Sequence, residues 1–238
     1  MLNRINPVAL VAGAASGAGL ACARDLAARA SGGLILVDTD EAALTAAADA
    51  LPSPPERVST LAFDVADIAS WTRAQEFIRA QYGRIDWAVA SIGAGQRLDS
   101  AELSNTTLSA TNAVTPLMRD NAQGGALVLL LSAQAVEIET LLQAVHAASK
   151  QGATNKVRVN AVVHGNVESP LWRRDPDFAS LLRDAHDEVG VLDHIARQSI
   201  PLVRCGAGQD ILRLVRLLLT DDSTVSGATL AVDASPAL

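Results

Sequence analysis

The sequence predicts an α/β fold, a doubly wound parallel sheet with helices on both faces, and three observations carry that prediction. Short apolar runs without alternation recur, as V-A-L-V-A at 8–12, L-I-L-V at 34–37 and A-L-V-L-L-L at 126–131. Strands buried on both faces read this way. Between them lie stretches with apolar residues at three- and four-residue spacing, as in crossover helices. Of the 238 residues 49% are hydrophobic but only 3% aromatic, so Ala, Val, Leu and Ile must build the core. No composition shift marks a boundary, and one domain over 1–238 is expected.

The totals exclude several function classes. A net charge of −7 leaves no basic footprint for nucleic acid or an anionic membrane. Cys22 and Cys205 are too few for a disulfide framework and lack metal-ligand spacing with the four histidines, so no metal site is expected. Residues 1–6 are too short and polar for a secretion signal, and no 18-residue uncharged apolar run occurs. The expectation is a cytoplasmic protein without membrane contact.

Taken in order, the first apolar run ends in a turn carrying Gly13, Gly17 and Gly19 within V-A-L-V-A-G-A-A-S-G-A-G-L at 8–20. Strand, tight turn and helix start follow one another, so the backbone from Ser16 through Gly17, Ala18 and Gly19 is set to meet a pyrophosphate at a helix N-terminus. Leu20, Ala23, Ala27 and Ala30 then share one helical face, which Ser31-Gly32-Gly33 ends. The second run stops at Asp38, 19 residues after Gly19. A carboxylate there accepts hydrogen bonds from adenosine ribose hydroxyls; the plain alternative is a loop aspartate.

Residues 41–51 form an Ala-rich helix that Pro52, Pro54 and Pro55 break before the strand V-S-T-L-A-F-D-V at 58–65. Asp64 and Val65 close that strand at the edge where ligands of open α/β sheets bind, placed to contact an adenine ring. The next helix is predicted over Trp71–Tyr82, with Trp71, Ala74, Phe77, Ile78 and Gln81 on one face and Gly83 as its stop. The strand I-D-W-A-V-A at 85–90 runs into Ser91-Ile92-Gly93.

V-A-G-A-A-S-G-A-G-L, Asp38, D-V at 64–65, G-R-I-D at 83–86, V-R-V-N-A-V at 157–162, H-G-N-V-E-S-P from His164, P-L-V-R-C-G from Pro201 and S-G-A-T-L-A-V-D ending at Asp233 resemble, in that order, the segments of the short-chain dehydrogenase/reductase family. The resemblance runs from end to end. It implies a single-domain Rossmann fold, a nicotinamide dinucleotide, a small carbonyl or alcohol substrate, and a Ser, Tyr, Lys and Asn set assisting hydride transfer. It places Ser91 and Gly93 in the family's N-N-A-G position, gives Val167 and Ser169 to the nicotinamide carboxamide, and makes 170–200 a variable substrate lid. It also implies a homo-oligomer, a dimer or tetramer. Asp38 would repel a 2′-phosphate and has no Arg or Lys beside it, so NAD is expected over NADP.

The family pattern breaks where proton transfer should occur. The only string like Y-x-x-x-K is H-A-A-S-K, His146 to Lys150, and Ala133 stands where the family's Ser would lie. One alignment makes these residues a substituted set. The other takes them as coincidence, because only 25 residues, Ala133 to Val157, connect two parallel strands, and a crossover helix consumes most of them. Ile138, Leu141, Leu142, Val145 and Ala148 or Ser149 set that helix beginning near Val136. At 1.5 Å per residue His146 and Lys150 would then lie about 15 and 21 Å down its axis. Ser132 and His164 remain near the edge as weak candidates, and Asn105 and Asn112 both match the family's Asn. Two functions stay open: an NAD(H)-dependent oxidoreductase, or a non-catalytic dinucleotide-binding partner subunit or sensor.

Overall fold

Every long apolar run becomes a strand because no face of it can be left in water. The computed structural model describes residues 6–93, 98–119, 121, 124–133, 137–164, 208–220 and 224–232. Along the chain these form β1 (Val8–Ala12), α1 (Gly17–Ala27), β2 (Gly33–Asp38), α2 (Glu41–Asp49), β3 (Val58–Ala62), α3 (Ile68–Tyr82), β4 (Trp87–Ile92), α4 (Ser100–Arg119), β5 (Gly125–Ser132), α5 (Ile138–Ala153), β6 (Val157–His164), α6 (Gly208–Thr220) and β7 (Thr229–Val232). The sheet order is β3-β2-β1-β4-β5-β6-β7, and every pair is parallel. The winding reverses between β1 and β4, the crevice where doubly wound sheets bind ligands.

Residue parity sorts the core into two layers. Leu10, Ala88, Leu127, Leu129, Leu131 and Val163 face Trp71, Ile78, Leu103, Leu117, Leu141 and Val145 of α3, α4 and α5. Val11, Leu36, Val89, Val128, Leu130 and Val162 face Leu26, Leu44, Ile211 and Val215 of α1, α2 and α6.

Helix α3, strand β3 and the buried stripe of α5 depart from the sequence expectation. Helix α3 starts one turn early because the Asp67 carboxylate accepts the Ala69 N–H at 3.0 Å, a side-chain N-cap. Its buried stripe is Ser70, Trp71, Ala74 and Ile78, leaving Phe77 39% exposed. Strand β3 ends at Ala62, so Asp64 and Val65 lie in the turn beyond it. In α5 the buried stripe is Leu141, Ala144, Val145, Ala148 and Gly152, which leaves Ile138 and Leu142 37% and 49% exposed. The small residues bring that helix close to the sheet, and its larger apolar side chains flank the contact.

Two polar clusters hold the frame. Asp86, 1% exposed, accepts the Val8 N–H at 2.9 Å and the Arg84 Nε–H at 3.2 Å, and Asn121 Nδ2 also donates to it. It thereby ties the start of β1 to β4. At the other end of the sheet, Asn160 bridges the Val225 carbonyl and the Ala228 N–H at 3.0 Å each, and Arg158 donates to the Leu218 carbonyl at 2.8 Å. These bonds clamp α6 and β7 onto β6. Asp86→Ala should cost about 3 kcal/mol, since removing one partner strands the buried groups it served; urea unfolding at pH 7 measures it, and a cost below about 1 kcal/mol would contradict this role.

Candidate functional site

The carboxyl edge of β1 is shaped by a turn that admits no side chain. Gly13 has φ +74°, and a Cβ there would stand 2.9 Å from the Ser91 carbonyl oxygen. A Cβ on Gly19 would fall 1.9 Å from the Gly13 carbonyl oxygen. Helix α1 therefore begins against the sheet itself. The turn is anchored from β2, with the Gly13 and Ala14 N–H groups donating to the Val37 carbonyl at 2.8 and 3.1 Å. Ser91 belongs to this arrangement as a contact, its Cβ lying against both glycine positions.

Asp38, half-buried at the end of β2, is drawn into the same turn. One carboxylate oxygen accepts the Ala15 N–H at 2.9 Å and the other the Thr39 N–H at 2.8 Å. Thr39 Oγ1 and the Asp40 N–H also approach the second oxygen at 3.5 and 3.4 Å, whereas the first holds the Ala15 N–H alone and, with two lone pairs, can accept one further donor. Ser16 makes no side-chain cap on α1, and Gly17, at φ +55°, would carry a Cβ with no atom within 4 Å. Open space thus lies beside Gly17, at the helix N-terminus where the dipole is positive. This cradle fits a pyrophosphate.

The third edge segment lies beside it. The Phe63 N–H donates to the Asp38 carbonyl at 2.9 Å, Asp64 accepts the Ala66 N–H on its side chain at 2.9 Å, and the Asp67 N–H on its carbonyl at 2.8 Å. The Val65 carbonyl accepts the Trp71 indole N–H at 2.8 Å. Gly93, φ +72°, follows β4.

A sequence model of the short chain dehydrogenases matches residues 7–178, a span holding both this cradle and the first six strands. The chain belongs to the short-chain dehydrogenase/reductase family. A D-threitol dehydrogenase of Mycolicibacterium smegmatis is 32% identical over 239 aligned residues, covering 95% of this chain and 91% of its own. Among solved structures, L-sorbose reductase from Gluconobacter frateurii, complexed with NADPH and L-sorbose, superposes at TM-score 0.78 with 22% identity, covering 99% of this chain and 98% of its own. A short chain oxidoreductase from Pseudomonas aeruginosa PAO1, described as containing an atypical catalytic center, superposes at 0.80 with 24% identity over 96% of each chain.

Between the starts of α4 and α5 this member of the family has a cleft of about 480 Å³, lined by Leu98, Leu103, Glu137 and Thr140 among others. Its acidic rim is partly committed: Asp99 accepts the Ala101 and Glu102 N–H groups at 2.8 Å while Glu102 accepts the Asp99 N–H at 3.0 Å, a reciprocal cap on α4.

The proton-transfer candidates fall in different places. His146 and Lys150 are exposed, in the ninth and thirteenth positions of α5, well down the helix from the edge. Asn105 and Asn112 are exposed on α4. Ser132 and His164 are brought together, opposite each other in register at the ends of β5 and β6. By parity both belong to the α1 and α6 face, whereas Ala133 packs into the α4 and α5 layer. Cys22, wholly buried on α1, has its thiol pushed up to about 12 by burial and by Asp25, which keeps it protonated and inert. Among the described residues no group of three His, Cys, Asp or Glu is arranged to hold a metal, and no helix is long and apolar enough to cross a membrane. Val167, Ser169 and the segment 170–200 lie outside the described residues.

Sequence reasoning passed over Asp86, Asn160 and Trp71, whose roles are contacts across 35 or more residues or within a turn not visible as a period. Gly19→Ala should lower stability by about 2 kcal/mol or more and abolish dinucleotide binding, because the turn must shift to admit a methyl group; thermal unfolding and calorimetry read the two effects. His146→Ala and Lys150→Ala should each change stability by less than about 0.5 kcal/mol, as exposed substitutions do, and leave NADH affinity unchanged. A tenfold loss of NADH affinity in either would return the H-A-A-S-K string to the site.

Proposed function

We propose that this chain is an NAD(H)-dependent oxidoreductase acting on a small carbonyl or alcohol substrate, working as a homo-oligomer in the cytoplasm. The single observation that carries the cofactor choice is the Asp38 carboxylate, tied to the glycine turn through Ala15. Residues 38–41 read Asp-Thr-Asp-Glu, three carboxylates and no cation, where a 2′-phosphate would need an Arg or Lys. The sorbose reductase complex holds NADPH; the acidic run argues for the other dinucleotide here. Exposed Ile138 and Leu142 on α5 support association with a second copy.

When bound, the dinucleotide supplies the two-electron chemistry. The chain's residues then have separate tasks. Ser16, Gly17, Ala18 and Gly19 seat the pyrophosphate, Asp38 accepts from the ribose hydroxyls, and Asp64 and Val65 border the adenine. Ser91 and Gly93 stand toward the nicotinamide, and Val167 and Ser169 are the residues that the family resemblance gives to its carboxamide. Ser132 and His164, adjacent at the strand ends, are the side chains available to hold or relay a proton, an assistance worth on the order of 10² to 10⁴ in rate.

A second reading, a non-catalytic dinucleotide-binding partner subunit or sensor, is favoured by one observation: Ala133, without a hydroxyl, is what packs toward the α4 and α5 layer. Turnover separates the two. On a panel of carbonyls with NADH and alcohols with NAD, activity that survives purification and vanishes in Gly17→Val supports the oxidoreductase, and binding without turnover supports the sensor. Asp38→Ala should weaken NAD binding by about 1 to 3 kcal/mol and narrow the preference over NADP; equal calorimetric affinities for wild type and variant would remove Asp38 from the site.

A further inference from the structure

Trp71 reaches the turn after β3 from the helix that follows it. It lies on the first turn of α3, 3% exposed, and spans two elements. Its ring meets Phe63 edge to face, centroids 5.0 Å apart and planes at 82°. Its indole N–H donates to the Val65 carbonyl at 2.8 Å. Amphipathic spacing alone would have made it a core residue like Ile78, and packing needs no hydrogen bond to a turn.

The bond matters because of what it fixes. Peptide groups are planar and trans, so each carbonyl direction sets the opposed N–H of the next residue. The Asp64 carbonyl is turned to the Asp67 N–H at 2.8 Å, which aims the Val65 N–H the other way. The Val65 carbonyl is turned to Trp71, which sets the next peptide plane. The Asp64 side chain is folded onto Ala66 at 2.9 Å. Without the indole donor, the second plane of this short turn would keep only the Ala66 N–H bond to the Asp64 side chain, a contact within the turn itself, and the turn would be held from the α3 side only by Asp67.

We propose that Trp71 is a positioning residue for adenine recognition: its indole N–H locks the Asp64–Val65 turn in the orientation that receives the adenine edge. The inference rests on the dinucleotide reading. Trp71 touches the turn and not the ligand, so it acts through pre-organisation, and its loss is felt as affinity rather than as a changed reaction.

The test compares the intact protein with Trp71→Phe, which keeps an aromatic ring but removes the donor, and with Ile78→Val, a core change on the same helix two turns away from the Val65 contact. Calorimetry with NAD and with ADP-ribose should show both ligands weakened about fivefold to tenfold by Trp71→Phe, the worth of one hydrogen bond, and neither weakened by Ile78→Val. Hydrogen exchange without ligand should be faster at residues 63–66 in Trp71→Phe alone. In the wild type, which needs no variant to fold, the Trp71 indole N–H resonance should move on adding ADP-ribose while that of Trp87, at the opposite end of the sheet, stays. Equal affinities for Trp71→Phe and wild type, equal losses in both variants, or an unmoved Trp71 resonance overturns the proposal. A wild type that binds neither NAD nor ADP-ribose overturns the dinucleotide reading itself, and this inference with it.

Discussion

One close approach governs the carboxyl edge of the sheet: Gly19 on α1 sits where even a methyl group would overlap the Gly13 carbonyl. Because the helix starts that near the strand, its first amides and its dipole are delivered to the crevice between β1 and β4. Because Gly13 is held by the Val37 carbonyl, the turn is registered to β2 as well, and Asp38 at the end of β2 closes on Ala15. The glycine turn and the Asp38 carboxylate are thus joined by hydrogen bonds into one unit. Phe63, hydrogen-bonded to the Asp38 carbonyl, extends it to the segment after β3.

The parity of the strands then decides which face each edge residue serves. Successive residues of a strand point to opposite faces, so Ser132 and Ala133, adjacent in sequence, serve different layers. The hydroxyl is on the α1 and α6 face beside His164, and the methyl group is on the α4 and α5 face. At this edge the α4 and α5 face therefore carries the Ala133 methyl group and no hydroxyl from β5. The short crossover works in the same direction. With α5 limited to Ile138–Ala153, His146 and Lys150 stand at its ninth and thirteenth positions, down the helix from the carboxyl edge, and both meet solvent.

Several of the family's characteristic strings serve the frame. Asp86 of G-R-I-D fastens β1 to β4, and Arg158 and Asn160 of V-R-V-N-A-V fasten α6 and β7. Buried polar groups of this kind are costly unless fully paired, so each implies a fixed partner far along the chain. In this chain the partners of these residues lie in the frame of the sheet.

The sequence by itself determined the fold class, the glycine turn, Asp38 and the family, because each is written in local terms: an apolar run, a spacing, a stop residue. It also set two alignments against each other at His146 and Lys150, since crossover length is a matter of counting. It misplaced the start of α3 and the buried stripe of α5, where a cap at Asp67 and the closeness of small residues outweighed the hydrophobic period. Only the tertiary structure decided which side of the sheet Ser132 and His164 occupy and that Trp71 reaches Val65. Those are relations between segments whose register is set by strand pairing and helix docking, and no window along the chain contains both partners and the geometry that joins them.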